Sequence, residues 1–244
     1  MDIFWELHSN IPREGPGDLA STRKAWFMLT GLPKKPRILE VACGPGKQTI
    51  DLARLTKGTI LAVDTHQPFL DELNKRASVA GLSSRISTRN LSMFELNLEP
   101  ASFDVIWSEG AIYIIGFERG LREWKPLLKS AGYLAVTELT WLKSDPPDEI
   151  KAYWSENYPG MKMLDENLAI LQAADYRHVG HFVLPDSSWW DDYYTPLEKR
   201  IIMLSEKYRD DEEAMTLLRE SQRESDLHKI YSEWYGYVFY VMQK

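Results

Sequence analysis

The sequence has a single cysteine, no uninterrupted apolar stretch of membrane-spanning length and no surplus of positive charge. Each absence excludes something. Cys43 alone makes neither an intrachain disulfide nor a thiolate zinc cluster, and so sparing a use of thiols fits a reducing cytoplasm. No run of about 18 apolar residues occurs, so no membrane span is predicted. Met1 to Glu6 lacks a basic patch followed by an apolar run and does not read as a signal peptide. Lys and Arg number 29 against 36 Asp and Glu, a net charge of −7. That balance argues against nucleic acid as a partner, because phosphate binding rests on clustered cations. The one tight basic group, Lys34-Lys35-Pro36-Arg37, reads as a solvated loop before a strand. No metal is expected: His178 and His181 are three apart, should face opposite sides of a strand, and have no third ligand nearby.

What is present is ordinary for one globular domain: 244 residues, 44% hydrophobic and 27% charged. From about residue 36 to 140, short β-rich runs alternate with amphipathic stretches, the pattern of a parallel sheet covered on both faces. Strands are predicted over Arg37–Val41, Thr59–Val63, Arg85–Asn90, Phe103–Ser108 and Tyr133–Glu138. Helices are predicted over Lys47–Leu55, from Pro68 toward Gly81, and over Phe117–Leu128, with a turn at Ser130-Ala131-Gly132. Two more strands, His178–Leu184 and Tyr235–Met242, should bracket helices over Pro196–Tyr208 and Asp211–Tyr231. Residues 141–244 hold five of nine Trp and ten of twelve Tyr, which suggests an aromatic cover over the sheet edge that also lines a pocket. The chain thus divides into an N-terminal lid segment (1–35), a ligand-binding core (36–140) and a cap with the last two strands (141–244).

The chemistry-bearing stretch is Glu40-Val41-Ala42-Cys43-Gly44-Pro45-Gly46-Lys47-Gln48-Thr49. A glycine turn after the first strand lets the backbone approach a ligand and aims the next helix at the same place. No Lys-Ser/Thr pair follows Gly46, so this is no P-loop. Thr49 fits poorly as the third small residue of a dinucleotide fingerprint, and Glu40 would face a pyrophosphate unfavourably. Asp64, at the end of the second strand and twenty residues past Gly44, is placed to accept hydrogen bonds from a ribose diol. A ribose, a cationic amine for Glu40 and a body close to the backbone are combined in S-adenosylmethionine.

Glu40 to Gly46 resembles the first motif of class I S-adenosylmethionine-dependent methyltransferases. Phe103-Asp104-Val105-Ile106-Trp107-Ser108-Glu109-Gly110-Ala111-Ile112-Tyr113, continuing through Gly116-Phe117-Glu118-Arg119-Gly120-Leu121, resembles their fourth-strand motif. Ile11 to Gly17, Ser92-Met93, Trp190 to Pro196 and Tyr235-Gly236-Tyr237 are similar to a small-molecule subfamily related to ubiquinone- and menaquinone-biosynthesis methyltransferases. The resemblance implies a Rossmann-like α/β fold, with a mostly parallel seven-stranded sheet, an antiparallel last strand, helices on both faces and a helical aromatic cap. Three positions depart from the pattern. Ala42 stands where Gly is usual, tolerable if the backbone there is not left-handed. Ile114 replaces a common Asn and Glu14 a common Gln, and these two bear on acceptor recognition.

By resemblance and position, Glu40, Gly44, Gly46 and Gln48 should surround the methionine part of the cofactor, with Arg13, Ala42 and Ser108 among its further binding residues. Asp64 and Thr65 should hold the ribose, and Ser92 and Met93 the adenine. Ligands of open α/β sheets lie beyond the carboxyl ends of the strands. Glu109 is therefore expected to orient the acceptor or take its proton, with Tyr113 as a second polar contact. Glu138, Trp190, Tyr193 and Tyr194 are expected to line the acceptor pocket. The acceptor so implied is a small, partly apolar or aromatic metabolite. A non-catalytic cofactor-binding protein and a nucleotide-dependent oxidoreductase are the rival readings, and a homodimer is compatible with the sequence.

Overall fold

The computed structural model describes residues 3–244. In chain order the elements are α1 (Ile3–Leu7), α2 (Leu19–Trp26), β1 (Arg37–Val41), α3 (Lys47–Leu55), β2 (Thr59–Asp64), α4 (Gln67–Val79), β3 (Ile86–Asn90), β4 (Phe103–Ser108), α5 (Ile112–Ile115), α6 (Phe117–Trp124), β5 (Leu128–Trp141), α7 (Asp148–Asn157), β6 (Lys162–Met163), α8 (Leu164–Ala173), β7 (Arg177–Val183), α9 (Ser187–Trp189), α10 (Thr195–Lys207), α11 (Glu212–Tyr231) and β8 (Tyr235–Gln243). A π-helical turn, Trp190–Tyr194, joins α9 to α10.

The main sheet runs in the order β3-β2-β1-β4-β5-β8-β7, with the two-residue β6 paired to β5. The strands from β3 to β5 are parallel to their neighbours, and β8 lies antiparallel between β5 and β7. This is the mostly parallel seven-stranded path with an antiparallel last strand. Parallel strands are buried on both faces and so read as continuous apolar runs. All six residues of β4 are buried. Alternation then divides each strand between two cores: Ile38, Val105, Trp107 and Phe239 pack on one face, Leu39, Ile106, Leu134 and Tyr240 on the other. Because β1 pairs with β2 on one side and β4 on the other, the chain reverses its winding there, and a crevice opens beyond the strand ends.

Several local expectations are corrected. The helix expected to Leu128 stops at Trp124 and tightens into a 3₁₀ turn over Lys125–Leu127, where Pro126 cannot donate to a continuing helix. Ser130-Ala131-Gly132 is a bulge inside a longer β5: Phe103 pairs with Leu128, but Val105 pairs with Tyr133. A second bulge at His178/Gly180 in β7 cancels the strand alternation, so His178 Nε2 and His181 Nδ1 meet at 3.1 Å instead of facing apart. Residues 141–177, for which no element was predicted, form α7, β6 and α8.

The N-terminal segment is fastened at both ends. α1 is held to α10 by Lys207 and Tyr208, which bond the Glu6 carboxylate at 2.6 Å each, and by Arg200, which donates to the Glu6 carbonyl. On the core side, Arg76 donates to the Pro12 carbonyl at 3.1 Å, and Trp5 stacks on His66 with ring centroids 3.7 Å apart. No helix among the described residues is long and apolar enough to cross a membrane.

Candidate active site

The glycine turn is held by its own backbone. Cys43 N–H donates to the Val63 carbonyl at 3.0 Å, Gly46 N–H to the Cys43 carbonyl at 3.1 Å, and the Gln48 amide to that same carbonyl at 2.8 Å. Gly44 has a positive φ of 50°, a conformation glycine adopts without Cβ strain. Ala42 has a φ of 56°, so its backbone is left-handed and the condition for tolerating its methyl group is not met. An L-residue there costs roughly 1–2 kcal/mol. Ala42→Gly is expected to stabilise the fold by about 0.5–1 kcal/mol once the added unfolded-state entropy is subtracted. Chemical denaturation should show this as a higher midpoint at unchanged slope; a lower midpoint would mean that the turn carries no strain.

Asp64 closes the turn from β2. Its Oδ2 accepts from Gly44 N–H and its Oδ1 from His66 N–H, both at 2.9 Å. The Cys43 thiol beside it is buried and pushed up, first by burial and then by the Glu40 and Asp64 charges. It is therefore a packed side chain and not a nucleophile.

Beyond these strand ends lies a cavity of about 450 Å³. At one end it is lined by Asp64, Thr65, Phe69, Ser92 and Met93, with Trp5 from α1. At the other end stand Tyr113 and Ile114 of α5, Tyr193 of the π-helical turn, Leu197 of α10, and Ser221 and Glu224 of α11. Between them, Ala42, Gly44 and Gln48 face Arg13, Glu14 and Glu109. The two positions that depart from the resemblance, Glu14 and Ile114, thus share this cavity.

Under the turn sits a buried ionic cluster. Glu109, 1% exposed at its side chain, pairs with Arg13, 2% exposed. The other Glu109 oxygen accepts from Thr22 Oγ1 and Trp107 Nε1, both at 2.8 Å. Gly17 leaves room for the Arg13 guanidinium, which a side chain there would strike. Glu109 therefore lines the cavity with three hydrogen bonds already on its carboxylate; it fastens the N-terminal segment, and these bonds compete with the expected role of orienting the acceptor or taking its proton. Glu40 is buried but not itself part of the cavity lining; among the described residues its carboxylate oxygens, like Arg13 Nε and Nη1, have no partner at full hydrogen-bond geometry, although Thr49 and Gln48 stand close enough to favour its ionised form. Burial pushes Glu40 up to about 8 and the nearby Glu109 adds to this, while Thr49 and Arg13 pull it back.

Gly46, expected at the cofactor, is absent from the lining and faces Leu73 of α4, and four further expected site residues lie elsewhere. Ser108 donates to the Val41 carbonyl at 3.0 Å and ties β4 to β1. Glu138 stands behind the cavity wall without lining it: it accepts from the Tyr158 hydroxyl, whose ring packs edge-on against Tyr113 with centroids 5.6 Å apart, and burial pushes it up to about 8. Trp190 and Tyr194 pack with Trp189 around the buried His228, whose ring stacks on Trp189 at 4.0 Å. They fill the cap's interior, because the π-helical turn directs Tyr193 alone of that group to the cavity. Conversely, sequence reasoning missed Trp5, His8, Phe69, Ser221 and Glu224. The spacing of Ser221 and Glu224 on one helix face was readable, but in the charged run of α11 nothing distinguished it from a solvated stripe.

A mostly parallel sheet with one antiparallel strand, a left-handed glycine turn after β1 and an acid at the tip of β2 make up the Rossmann-like fold that the resemblance to class I S-adenosylmethionine-dependent methyltransferases implied. Residues 38–132, from β1 into β5, match the methyltransferase domain family. It is 30% identical over 104 residues to methyltransferase GfsG of Streptomyces halstedii, covering 42% of this chain and 37% of that one. The chain spans less than half the length of the first curated relatives it matches. Two solved structures share the whole architecture. The S-adenosyl-L-homocysteine complex of a methyltransferase from Geobacter sulfurreducens has a TM-score of 0.83 at 20% identity, over 99% of this chain and 97% of that one. The corresponding complex from Thiobacillus denitrificans has a TM-score of 0.83 at 19% identity, over 99% and 98%.

Proposed function

We propose that the whole chain is an S-adenosylmethionine-dependent methyltransferase acting on a small, partly apolar or aromatic metabolite. The observation that carries this reading is one cavity with two dissimilar ends. Asp64, Thr65, Ser92 and Met93 suit a nucleoside, and Tyr113, Ile114, Tyr193 and Leu197 suit an apolar or aromatic body. The orphaned Glu40 oxygens beneath the turn fit a cationic amine, since buried polar groups ordinarily have partners. When bound, the cofactor supplies a methyl group already activated on a sulfonium. What remains for the chain is to align the acceptor and exclude water. Asp64 and Thr65 would hold the ribose, Ser92 and Met93 the adenine, and Gly44 with Gln48 the methionine part. The segment from α1 to Gly17, fastened by Arg13 to Glu109, would close the site as a lid.

Isothermal calorimetry with S-adenosylhomocysteine tests the reading. Asp64→Ala is expected to weaken binding roughly 10- to 150-fold, the equivalent of one lost charged hydrogen bond of about 1.5–3 kcal/mol. Affinity retained within about twofold would remove Asp64 from the ribose site. Tight binding of NAD with none of S-adenosylhomocysteine would move the protein to the nucleotide-dependent oxidoreductases.

A further inference from the structure

The cavity holds a histidine with an orienting carboxylate. His8 follows α1 and lines the cavity beside Glu14. Its Nδ1 lies 2.6 Å from Glu14 Oε2, and the imidazole is 12% exposed. The ring packs against Phe4, with centroids 4.5 Å apart. Nε2 has no hydrogen-bond partner among the described residues, yet it is not sealed from solvent. Glu14 in turn is pressed on the glycine turn: its Cγ stands 3.3 Å from where a side chain on Gly44 would begin. The pair therefore sits over the place assigned to the methionine part of the cofactor. The other charged and titratable groups facing it are Glu224 of α11, Tyr193 of the π-helical turn, Asp64 of β2 and Arg76 of α4.

Other groups in the cavity suit proton removal less well. Glu109 is engaged by Arg13, Thr22 and Trp107. Burial, and then the Glu224 and Glu138 charges, push the Tyr113 phenol up, so it stays a donor. A carboxylate accepting from Nδ1–H fixes the imidazole tautomer in which Nε2 keeps its lone pair, and it steadies the imidazolium formed when that lone pair takes a proton.

We propose that His8, oriented by Glu14, is the general base, and that the acceptor accordingly presents a hydroxyl or an amine. This rests on the methyltransferase reading. The acceptor oxygen or nitrogen forms its bond to the methyl carbon, the electron pair of the broken carbon–sulfur bond stays on sulfur, and His8 Nε2 takes the acceptor's proton. Glu14 is a positioning residue, and the imidazolium afterwards releases its proton to water.

The test uses the full chain labelled with ¹⁵N-histidine and bound to S-adenosylhomocysteine, with the His8 signal assigned by its loss in His8→Gln. At pH 7.5 the neutral ring should carry its proton on Nδ1 and show a pyridine-like Nε2. A proton on Nε2, with Glu14 donating to Nδ1, would overturn the proposal. In Glu14→Gln the neutral ring should no longer be held in the single tautomer with its proton on Nδ1; a ring that keeps its proton on Nδ1 as in the parent would refute the orienting assignment. Against a panel of simple phenols and arylamines, His8→Gln should release S-adenosylhomocysteine at least about 100-fold more slowly than the parent, with S-adenosylhomocysteine affinity kept within about threefold. Equal turnover by parent and variant would sink the proposal. A parent protein that fails to bind S-adenosylhomocysteine in calorimetry would instead overturn the methyltransferase reading, and the two failures are thereby told apart.

Discussion

Glu40→Gln is expected to raise the melting temperature of the ligand-free protein at pH 7 and to weaken its grip on S-adenosylhomocysteine. The Glu40 carboxyl is pushed from 4.5 up to about 8 in the folded chain. Below pH 4.5 both folded and unfolded chains hold the proton. Between 4.5 and 8 only the folded chain keeps it, so the stability contribution of this group falls as pH rises and levels off above about 8. At pH 7 the accumulated penalty is about 3 kcal/mol, at 1.36 kcal/mol per pH unit. Gln carries no such penalty, and for a chain of this size the gain corresponds to about 6–12 °C. Thermal unfolding at pH 5 and pH 8 checks the sign: the gap between variant and parent should be small at pH 5 and several-fold larger at pH 8. An equal gap at both values would show that Glu40 titrates normally. If an ammonium group partners this carboxylate, the same substitution should weaken S-adenosylhomocysteine binding roughly 10- to 150-fold at pH 8. Stability gained together with binding lost is the signature of a buried group kept for its ligand.

Arg13→Met should produce the largest loss of stability. Glu109 would keep the hydrogen bonds from Thr22 and Trp107 but lose its one ion partner among the described residues, at a side chain 1% exposed. Removing one member of a buried pair costs about 3–5 kcal/mol, because an uncompensated charge stays behind. That corresponds to a melting temperature lower by roughly 6–20 °C. The double variant Arg13→Met/Glu109→Gln separates charge from packing. The Gln carbonyl still accepts from Thr22 and Trp107, so most of the lost stability should return. If the single variant unfolds in urea within about 0.5 kcal/mol of the parent, the clamp does not hold the N-terminal segment.

The parallel half of the sheet and the turn between β1 and α3 were legible because their signals are local. A buried parallel strand must be apolar throughout, a left-handed turn favours glycine, and an acid twenty residues on falls at the neighbouring strand end. Irregular backbone defeated the same logic. One extra residue in β7 put His178 and His181 side by side, and the bulge at Ala131, whose φ is 59°, turned an expected loop into strand. The cavity's far wall was legible only in part, at Tyr113 and Tyr193. His8, Ser221 and Glu224 come from segments far apart in sequence and meet the rest only through tertiary packing. Glu109 shows the limit of position alone: the strand end located it, but Arg13 and Thr22 from the distant N-terminal segment, with Trp107 of its own strand, decided what its oxygens are free to do.

The interior place of β8 has a kinetic consequence. Its pairing with β5 begins at Trp141 with Tyr235 and runs through nine residue pairs, so a loop of more than ninety residues must close before any of it forms. β7 has no sheet neighbour but β8, and cannot join until that closure is complete. Pairings so distant in sequence are slow to nucleate. The half of the sheet carrying the glycine turn has its partners from the start, whereas Tyr193, Leu197, Ser221 and Glu224 all lie in the stretch looped out between β7 and β8. The part of the cavity wall that these four residues supply therefore forms only after that closure.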